Sequence, residues 1–214
     1  MDGNHVYDVY LKHPFTMIVC GPTGSGKTYW LKELIENRNL LSKPPPKYIY
    51  YFYAEWQNCY SHIKDVKFIQ GLPENISNFI NPTQEGWLII DDMMMESMNS
   101  TMISELFTRG SHHRNVSVIL VTQNFFPKGK ESRNISLNAH YLVLFKNPRD
   151  KSSSLMIGRQ LFPSLIKKFS KVVEDATKLP HSYIMIDLRS ETPDEVRLLT
   201  NVLGEKDHMI SYVL

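Results

Sequence analysis

Cysteines are scarce in this sequence, and long apolar runs and an excess of charge are missing. The 214 residues include only two cysteines, Cys20 and Cys59, too few for a framework of disulfides, so we expect two reduced thiols. No apolar run approaches the roughly 20 residues that a membrane-spanning helix needs, and the first residues lack the pattern of a signal peptide. The sequence therefore predicts a soluble intracellular protein with no membrane-spanning segment.

The balance of charge is close to neutral. A formal net charge of +2 excludes a strongly basic surface, so any contact with nucleic acid must come from a local patch. Hydrophobic residues make up 42% and charged residues 21% of the chain, which are ordinary values for a globular protein. At this length we expect one domain with a sizeable core.

Short apolar segments alternate with segments of helical period. Strands are predicted at 15–20, 48–53, 66–69, 87–90, 116–121, 140–145 and 183–188. Helices are predicted at 27–37, 73–80, 97–109, 151–160 and 165–178. This alternation predicts an α/β fold with a mostly parallel central sheet, helices on both faces, and ligands bound where the strands end.

A glycine-rich loop follows the first predicted strand and opens the first predicted helix. It matches the pattern G-x-x-x-x-G-K-[ST] with Gly21, Pro22, Thr23, Gly24, Ser25, Gly26, Lys27 and Thr28. Glycines let successive backbone N–H groups point at phosphate oxygens, and the start of the helix adds its positive dipole end. In this pattern the lysine reaches the β- and γ-phosphates and the threonine hydroxyl ligates Mg²⁺. The loop therefore predicts ATP and Mg²⁺ as cofactors.

Two carboxylates, Asp91 and Asp92, end the apolar strand predicted at 87–90. We expect Asp91 to hold Mg²⁺, directly or through water, and Asp92 to polarise the attacking water as a general base. Glu96 is an alternative base, although the first turn of the next helix also explains an acidic residue there. The strand at 48–53 lies between the loop and Asp91 along the chain. That order favours the division of P-loop NTPases in which another strand lies between the two motifs and an additional carboxylate is catalytic.

Polar residues near the next strand complete the predicted site. Gln123, at the end of that strand, is expected to hydrogen-bond the γ-phosphate or the attacking water, unless it is only a polar strand end. The arginines considered for stabilising the transition state, from a neighbouring subunit, are Arg109, Arg114, Arg133 and Arg149. We prefer Arg114, which lies just before a predicted strand, with Arg109 second; an ordinary surface role remains the alternative for each.

The segment Phe125–Arg133 combines two aromatic residues, a glycine and three basic residues. In a ring-shaped assembly such a loop could follow the backbone of double-stranded DNA. A basic surface loop without a ligand is the alternative.

Four stretches together resemble the FtsK–HerA superfamily: GPTGSGKT, WLIIDD, FTRGSHHRNVSVILVTQNFF and ISLNAHYLVLFKNPRD. More narrowly, they resemble the genome-packaging ATPases of double-jelly-roll DNA viruses, and most of all the Maverick/Polinton and adintovirus members. The resemblance extends from about Phe15 to Asn201. It implies a RecA-like core, a homo-oligomeric ring of five or six subunits, and ATP-driven translocation of double-stranded DNA into a capsid, with a capsid or portal protein as partner.

Carried over by position, the resemblance implies that Lys27 and Thr28 bind phosphate and Mg²⁺ and that Asp91 binds the metal. It places Asp92 where the catalytic carboxylate usually lies, and it makes Gln123 the sensor of hydrolysis. The superfamily often has glutamate where this chain has Asp92. Many viral relatives also carry an arginine nearer position 112, where this chain has a histidine.

The predicted organisation is an N-terminal extension (1–14), a P-loop ATPase domain (15–204) and a C-terminal tail (205–214). The expected location is the host nucleus, a cytoplasmic virus factory or the virion. The alternatives are a P-loop nucleotide kinase, a nucleotide-dependent switch without motor activity, and a DNA translocase that serves recombination rather than packaging.

Overall fold

The computed structural model describes residues 9–125, 128–203 and 208–214. Its strands are β1 (Leu11–Lys12), β2 (Thr16–Cys20), β3 (Ser42–Lys43), β4 (Tyr48–Tyr53), β5 (Lys67–Gln70), β6 (Gly86–Asp91), β7 (Val116–Thr122), β8 (Tyr141–Phe145), β9 (Tyr183–Asp187), β10 (Leu198–Thr200) and β11 (Ile210–Tyr212). Its α-helices are α1 (Lys27–Glu36), α2 (Arg38–Leu41), α3 (Met94–Met98), α4 (Thr101–Glu105), α5 (Ser111–His113), α6 (Ser132–Leu137), α7 (Lys151–Leu161) and α8 (Ile166–Ala176).

Nine of these strands form one sheet in the order β11-β10-β9-β8-β2-β7-β6-β4-β5. The strands from β8 to β5 are all parallel, while β9, β10 and β11 add antiparallel pairs at one side. The prediction of a mostly parallel sheet is therefore confirmed. Because parallel strands end at the same edge, the residues that follow β2, β6, β7 and β8 meet along one carboxyl edge.

The sheet also confirms the predicted P-loop division, although through a different strand from the one expected. β7 lies between β2, which precedes the phosphate loop, and β6, which ends in Asp91. The predicted strand at 48–53 is β4, and it pairs with β6 on the side away from β2. The order of elements along the chain could not reveal which strand separates the two motifs in space.

Each face of the sheet carries its own apolar core. On one face, Trp87 and Ile89 of β6 pack with α1 through Leu31 and Leu34. On the other face, Leu88 and Ile90 belong to a core shared with residues of α3, α4, α6, α7 and α8. Full burial of one such side chain contributes about 1.5–3 kcal/mol. Helices on both faces are thus confirmed, and the apolar run of β6 is explained by burial on its two sides.

The helix predicted at 97–109 is wrong as one continuous element. α3 ends at Met98, and α4 begins after Ser100, whose hydroxyl accepts a hydrogen bond from the Ile103 N–H (3.2 Å). The helix then widens into a π-helical segment at Leu106–Gly110 before α5. A serine favours a new helix start over continuation, since its side chain competes for the backbone N–H groups.

The helix predicted at 73–80 is also wrong. Only a short 3₁₀ turn, Ile76–Phe79, forms there, capped by the side chain of Asn75. Two further 3₁₀ turns occur, at Asn58–His62 and Asp194–Val196.

Both predicted terminal segments contribute strands. β1 pairs in parallel with β3, and Leu11 is buried, while β11 pairs with β10. The domain boundaries at residues 14 and 204 stay a prediction, with residues 1–8 and 204–207 outside the described part of the chain. Within that part, no helix is both long enough and apolar enough to cross a membrane.

Candidate active site

The glycine-rich loop occupies the carboxyl edge of the sheet, between β2 and α1. The Gly21 N–H donates to the Thr122 carbonyl oxygen (3.2 Å), which ties the loop to β7. A Cβ atom at position 21 would lie 2.7 Å from the Cβ of Phe145, so only glycine fits there. Gly26, with a φ of 104°, sits in the left-handed region and precedes the first residue of α1. The strand, loop and helix therefore follow one another as predicted.

Lys27 bends back over its own loop. Its ammonium group donates to the carbonyl oxygens of Gly21 (2.6 Å) and Pro22 (3.1 Å). Burial lowers the pKa of Lys27, while the charge of Asp91 opposes that shift. Ser25 Oγ is buried and has no hydrogen-bond partner within the described residues. A half-buried ammonium and an unpaired hydroxyl in one loop fit an anionic phosphate group.

Asp91 is a buried carboxylate on the α1 face of the sheet, with 4% of its surface exposed. Its Oδ2 accepts hydrogen bonds from the hydroxyls of Tyr51 (2.5 Å) and Tyr60 (3.0 Å). Burial raises the pKa of Asp91, and the two phenol hydrogen bonds and Lys27 act in the opposite direction. Burial likewise raises the pKa of both tyrosines, so they remain donors. The carboxylate of Asp91 and the hydroxyl of Thr28 are both oxygen ligands of the kind that Mg²⁺ prefers.

Asp92 and Gln123 are brought together at the same edge. The side-chain amide of Gln123 donates to Oδ1 of Asp92 (3.1 Å). Asp92 is exposed and has a φ of 57°, which is uncommon for a residue other than glycine. An exposed carboxylate beside an amide, next to the phosphate loop, can accept a proton from a water molecule.

The two preferred arginines do not lie beside this loop. Arg114 lies two residues before the start of β7, at the amino edge of the sheet, and donates to Ser77 Oγ (3.2 Å). The seven residues of β7 span roughly 20 Å, and this length separates Arg114 from the carboxyl edge. Arg109 is exposed in the π-helical segment five residues earlier.

Arg149 borders the phosphate loop of its own chain. It lines a cavity of about 430 Å³ together with Pro22, Thr23 and Gln123. Its side chain is exposed, and within the described residues the guanidinium has no ion-pair partner. The sequence identified Arg149 only as one of several candidates.

Three further residues of the site were not predicted. Tyr51 and Tyr60 contact Asp91, and the ring of His181 lies against Gly26, where an added Cβ would sit 3.0 Å from its Nδ1. The alternation of side chains along β4 could have indicated Tyr51, because Tyr51 lies on the same face of the strand as Tyr53, and Tyr53 is the register partner of Asp91. Tyr60 and His181 lie outside strands, and nothing in their local sequence indicated these contacts.

The predicted DNA-contacting segment is anchored at the points that the structure describes. Phe125 is buried in the core, and the Glu131 N–H donates to the Met98 carbonyl oxygen (2.9 Å). Lys128, Lys130 and Arg133 are exposed. Residues 126 and 127 of the segment lie outside the described residues.

The sequence profile of the poxvirus A32 protein family matches residues 3–146. The chain belongs to the poxvirus A32 protein family. The match to the A32 family includes the phosphate loop, both carboxylates, Gln123 and the two preferred arginines. No curated protein matches the chain.

Solved structures of viral NTPases are similar to this A32 family member. The DNA-packaging ATPase B204 of Sulfolobus turreted icosahedral virus is 15% identical, with a TM-score of 0.55 over 84% of this chain and 95% of that chain. B204 of Sulfolobus turreted icosahedral virus 2 is 14% identical, with a TM-score of 0.56 in its sulfate complex and 0.52 in its ATP-gammaS complex, each over 84% of this chain and 94% of that chain. At this identity the similarity shows a shared fold, which is the predicted α/β P-loop NTPase fold.

Proposed function

We propose that this chain is a Mg²⁺-dependent ATPase that translocates double-stranded DNA during packaging of a viral or virus-like transposon genome. One observation carries the proposal: the phosphate loop, the buried Asp91 and the Asp92–Gln123 pair converge at one edge of the sheet. Membership of the A32 family and the fold shared with B204, a DNA-packaging ATPase, support the packaging role. A relationship to the Maverick/Polinton and adintovirus enzymes remains part of the proposal.

In the proposed mechanism the loop residues bind the triphosphate. Backbone N–H groups within 23–28 would surround the phosphates, because Pro22 has no N–H and that of Gly21 is bound to Thr122, and Lys27 would exchange its carbonyl partners for phosphate oxygens. Thr28 and Asp91 would hold Mg²⁺, which supplies positive charge to the phosphate oxygens. Asp91 is suited to this role because it is buried, and the attraction between a carboxylate and a cation is stronger where the effective dielectric constant is low.

Asp92 and Gln123 activate and orient the attacking water. Asp92 accepts the proton of the water, and Gln123 keeps the carboxylate in place through its amide N–H. The carbonyl oxygen of the Gln123 amide remains able to accept a hydrogen bond from that water. No covalent intermediate is required.

Arginines act on the transition state from two sides. Arg149, beside the loop, binds phosphate within its own chain. Arg114, with Arg109 as the second candidate, lies toward the opposite edge and can therefore reach only the site of a neighbouring subunit. A head-to-tail ring places the amino edge of one subunit against the carboxyl edge of the next, and five or six subunits would close it.

The remaining partners are proposed from charge and from the family. Double-stranded DNA would contact the exposed basic residues of the segment Phe125–Arg133, which are Lys128, Lys130 and Arg133. A capsid or portal protein would hold the ring. The proposed location is the host nucleus, a cytoplasmic virus factory or the virion.

The test combines ATPase rates with sizing by light scattering. With Mg²⁺, we expect the rate per subunit to increase with protein concentration and with double-stranded DNA, and we expect Lys27→Ala to abolish hydrolysis. A nucleoside should not act as phosphoryl acceptor, which separates the motor from a nucleotide kinase. A strict monomer whose ATPase rate is independent of both double-stranded DNA and protein concentration would contradict the proposal.

A further inference from the structure

We propose that Tyr51 and Tyr60 are positioning residues that fix the carboxylate of Asp91, engaging one oxygen and leaving the other for the metal. This inference rests on the proposed function, because it assumes that Asp91 holds Mg²⁺.

Both phenol groups reach the same atom. Tyr51, in β4, donates to Oδ2 of Asp91 at 2.5 Å, and Tyr60, in the 3₁₀ turn Asn58–His62, donates to Oδ2 at 3.0 Å. Neither hydroxyl bonds to Oδ1. Two donors on one oxygen fix the rotation of the carboxylate, so its second oxygen points in one direction only.

Packing fixes the donors in turn. The ring centroid of Tyr60 lies 5.1 Å from that of Tyr51, 5.4 Å from that of Phe68 and 5.5 Å from that of Trp56. Tyr51 is fully buried, and Tyr60 is 1% exposed. Neither hydroxyl oxygen can therefore move away from Asp91 without movement of a ring in a close-packed cluster.

The chemistry of the donors matters as well as their geometry. A buried carboxylate needs hydrogen bonds, and a lysine or arginine would supply them at the cost of cancelling its charge. A phenol is neutral, so Asp91 keeps its negative charge for a cation. Outer residues that orient a metal-binding carboxylate commonly change metal affinity when they are replaced.

The experiment measures binding rather than turnover. Calorimetric titration with ATP-gammaS, in Mg²⁺ and again in EDTA, gives the Mg²⁺-dependent part of the affinity. For Tyr60→Phe we expect that part to fall by about 10-fold, while the affinity in EDTA changes by less than about 2-fold. Tyr51→Phe should act in the same direction, and the double variant should lose more than either single one.

Tyr53→Phe is the matched control. Tyr53 belongs to the same aromatic cluster, 5.7 Å from Tyr60 between ring centroids, but does not bond to Asp91. This variant should bind as the wild type does, and thermal unfolding checks that each variant folds. If Tyr51→Phe fails to fold, Tyr60→Phe decides alone.

The outcomes separate the two proposals. A wild-type chain without Mg²⁺-dependent affinity for ATP-gammaS would overturn the proposed function. A wild type with that affinity, together with a Tyr60→Phe variant that keeps it or an equal loss in Tyr53→Phe, would overturn the positioning role alone.

Discussion

The side-chain amide of Gln123 donates a hydrogen bond to Oδ1 of Asp92 over 3.1 Å. The two residues follow β7 and β6, which are neighbouring parallel strands, although 31 positions separate them along the chain. Because the bond uses only one oxygen of an exposed carboxylate, the other remains available to a water molecule. The pair therefore joins the proposed base to the proposed sensor of the γ-phosphate.

Replacing Asp92 by asparagine should stop hydrolysis while sparing ATP binding. Removal of a general base costs about 10²–10⁴-fold in rate, whereas the loop residues that bind phosphate are unchanged. Steady-state ATPase rates and calorimetric titration with ATP-gammaS give the two quantities. Asp92→Glu restores a carboxylate and should keep more activity than the asparagine variant. Equal activity of Asp92→Asn and the wild type would transfer the role of base to another residue, with Glu96 as the first to test.

Local pattern predicted much of this site, and long-range contacts account for what it missed. The phosphate loop has a fixed spacing on one strand–helix junction, so its geometry follows from adjacent residues. Tyr60 reaches Asp91 only because β4 pairs with β6, and one sequence does not reveal strand order. Because strand order was unknown, β4 was expected to separate the phosphate loop from Asp91, whereas β7 separates them in the sheet. Ser100, by capping a new helix, divided a segment whose apolar period suggested one.

Arg149 should contribute to hydrolysis from within its own subunit. It borders the cavity beside the phosphate loop, so Arg149→Ala should lower the ATPase rate by about 10-fold or more through loss of a charge-assisted contact to phosphate. Arg159, exposed on α7, is the matched control, and Arg159→Ala should leave the rate near that of the wild type. Equal rates for both variants would remove Arg149 from the site.

Arg114 should act across a subunit boundary, which a mixing experiment can detect. Arg114→Ala and Lys27→Ala should each be inactive alone, because either the charge-stabilising arginine or the phosphate-binding lysine is missing at every interface. In an equal mixture, roughly one interface in four combines an intact loop with an intact arginine, and activity should return in proportion. A mixture as inactive as its components would contradict action from a neighbour. The same experiment with Arg109→Ala decides between the two candidates.

The two cysteines should differ sharply in reactivity. Burial raises the pKa of the Cys20 thiol to about 11, and partial burial also raises the pKa of the Cys59 thiol, but Cys59 is exposed to a reagent whereas Cys20 is buried. Since the thiolate is the reactive form, iodoacetamide at pH 8 should modify Cys59 and leave Cys20 unmodified in the folded chain. Peptide mass spectrometry after brief labelling measures both sites. Unfolding in guanidinium should abolish the difference, and labelling of Cys20 under native conditions would show that β2 opens at its carboxyl end.

His13 should make the folded state less stable in mild acid. Its ring lies between Asn115 Oδ1 (3.0 Å) and Ser117 Oγ (2.7 Å), and burial lowers its pKa below the ordinary 6.5, against hydrogen bonds to Asn115 that act to raise it. Below pH 6.5, His13 therefore binds more protons in the unfolded chain than in the folded one. Its contribution to the free energy of unfolding is fully present above pH 6.5 and is lost as the pH falls. Melting temperatures between pH 5 and 8 should decline below pH 6.5. His13→Gln should melt lower throughout but with a flatter dependence on pH, whereas replacement of the exposed His62 by glutamine should keep the wild-type slope. An unchanged slope in His13→Gln would assign the acid sensitivity to other groups.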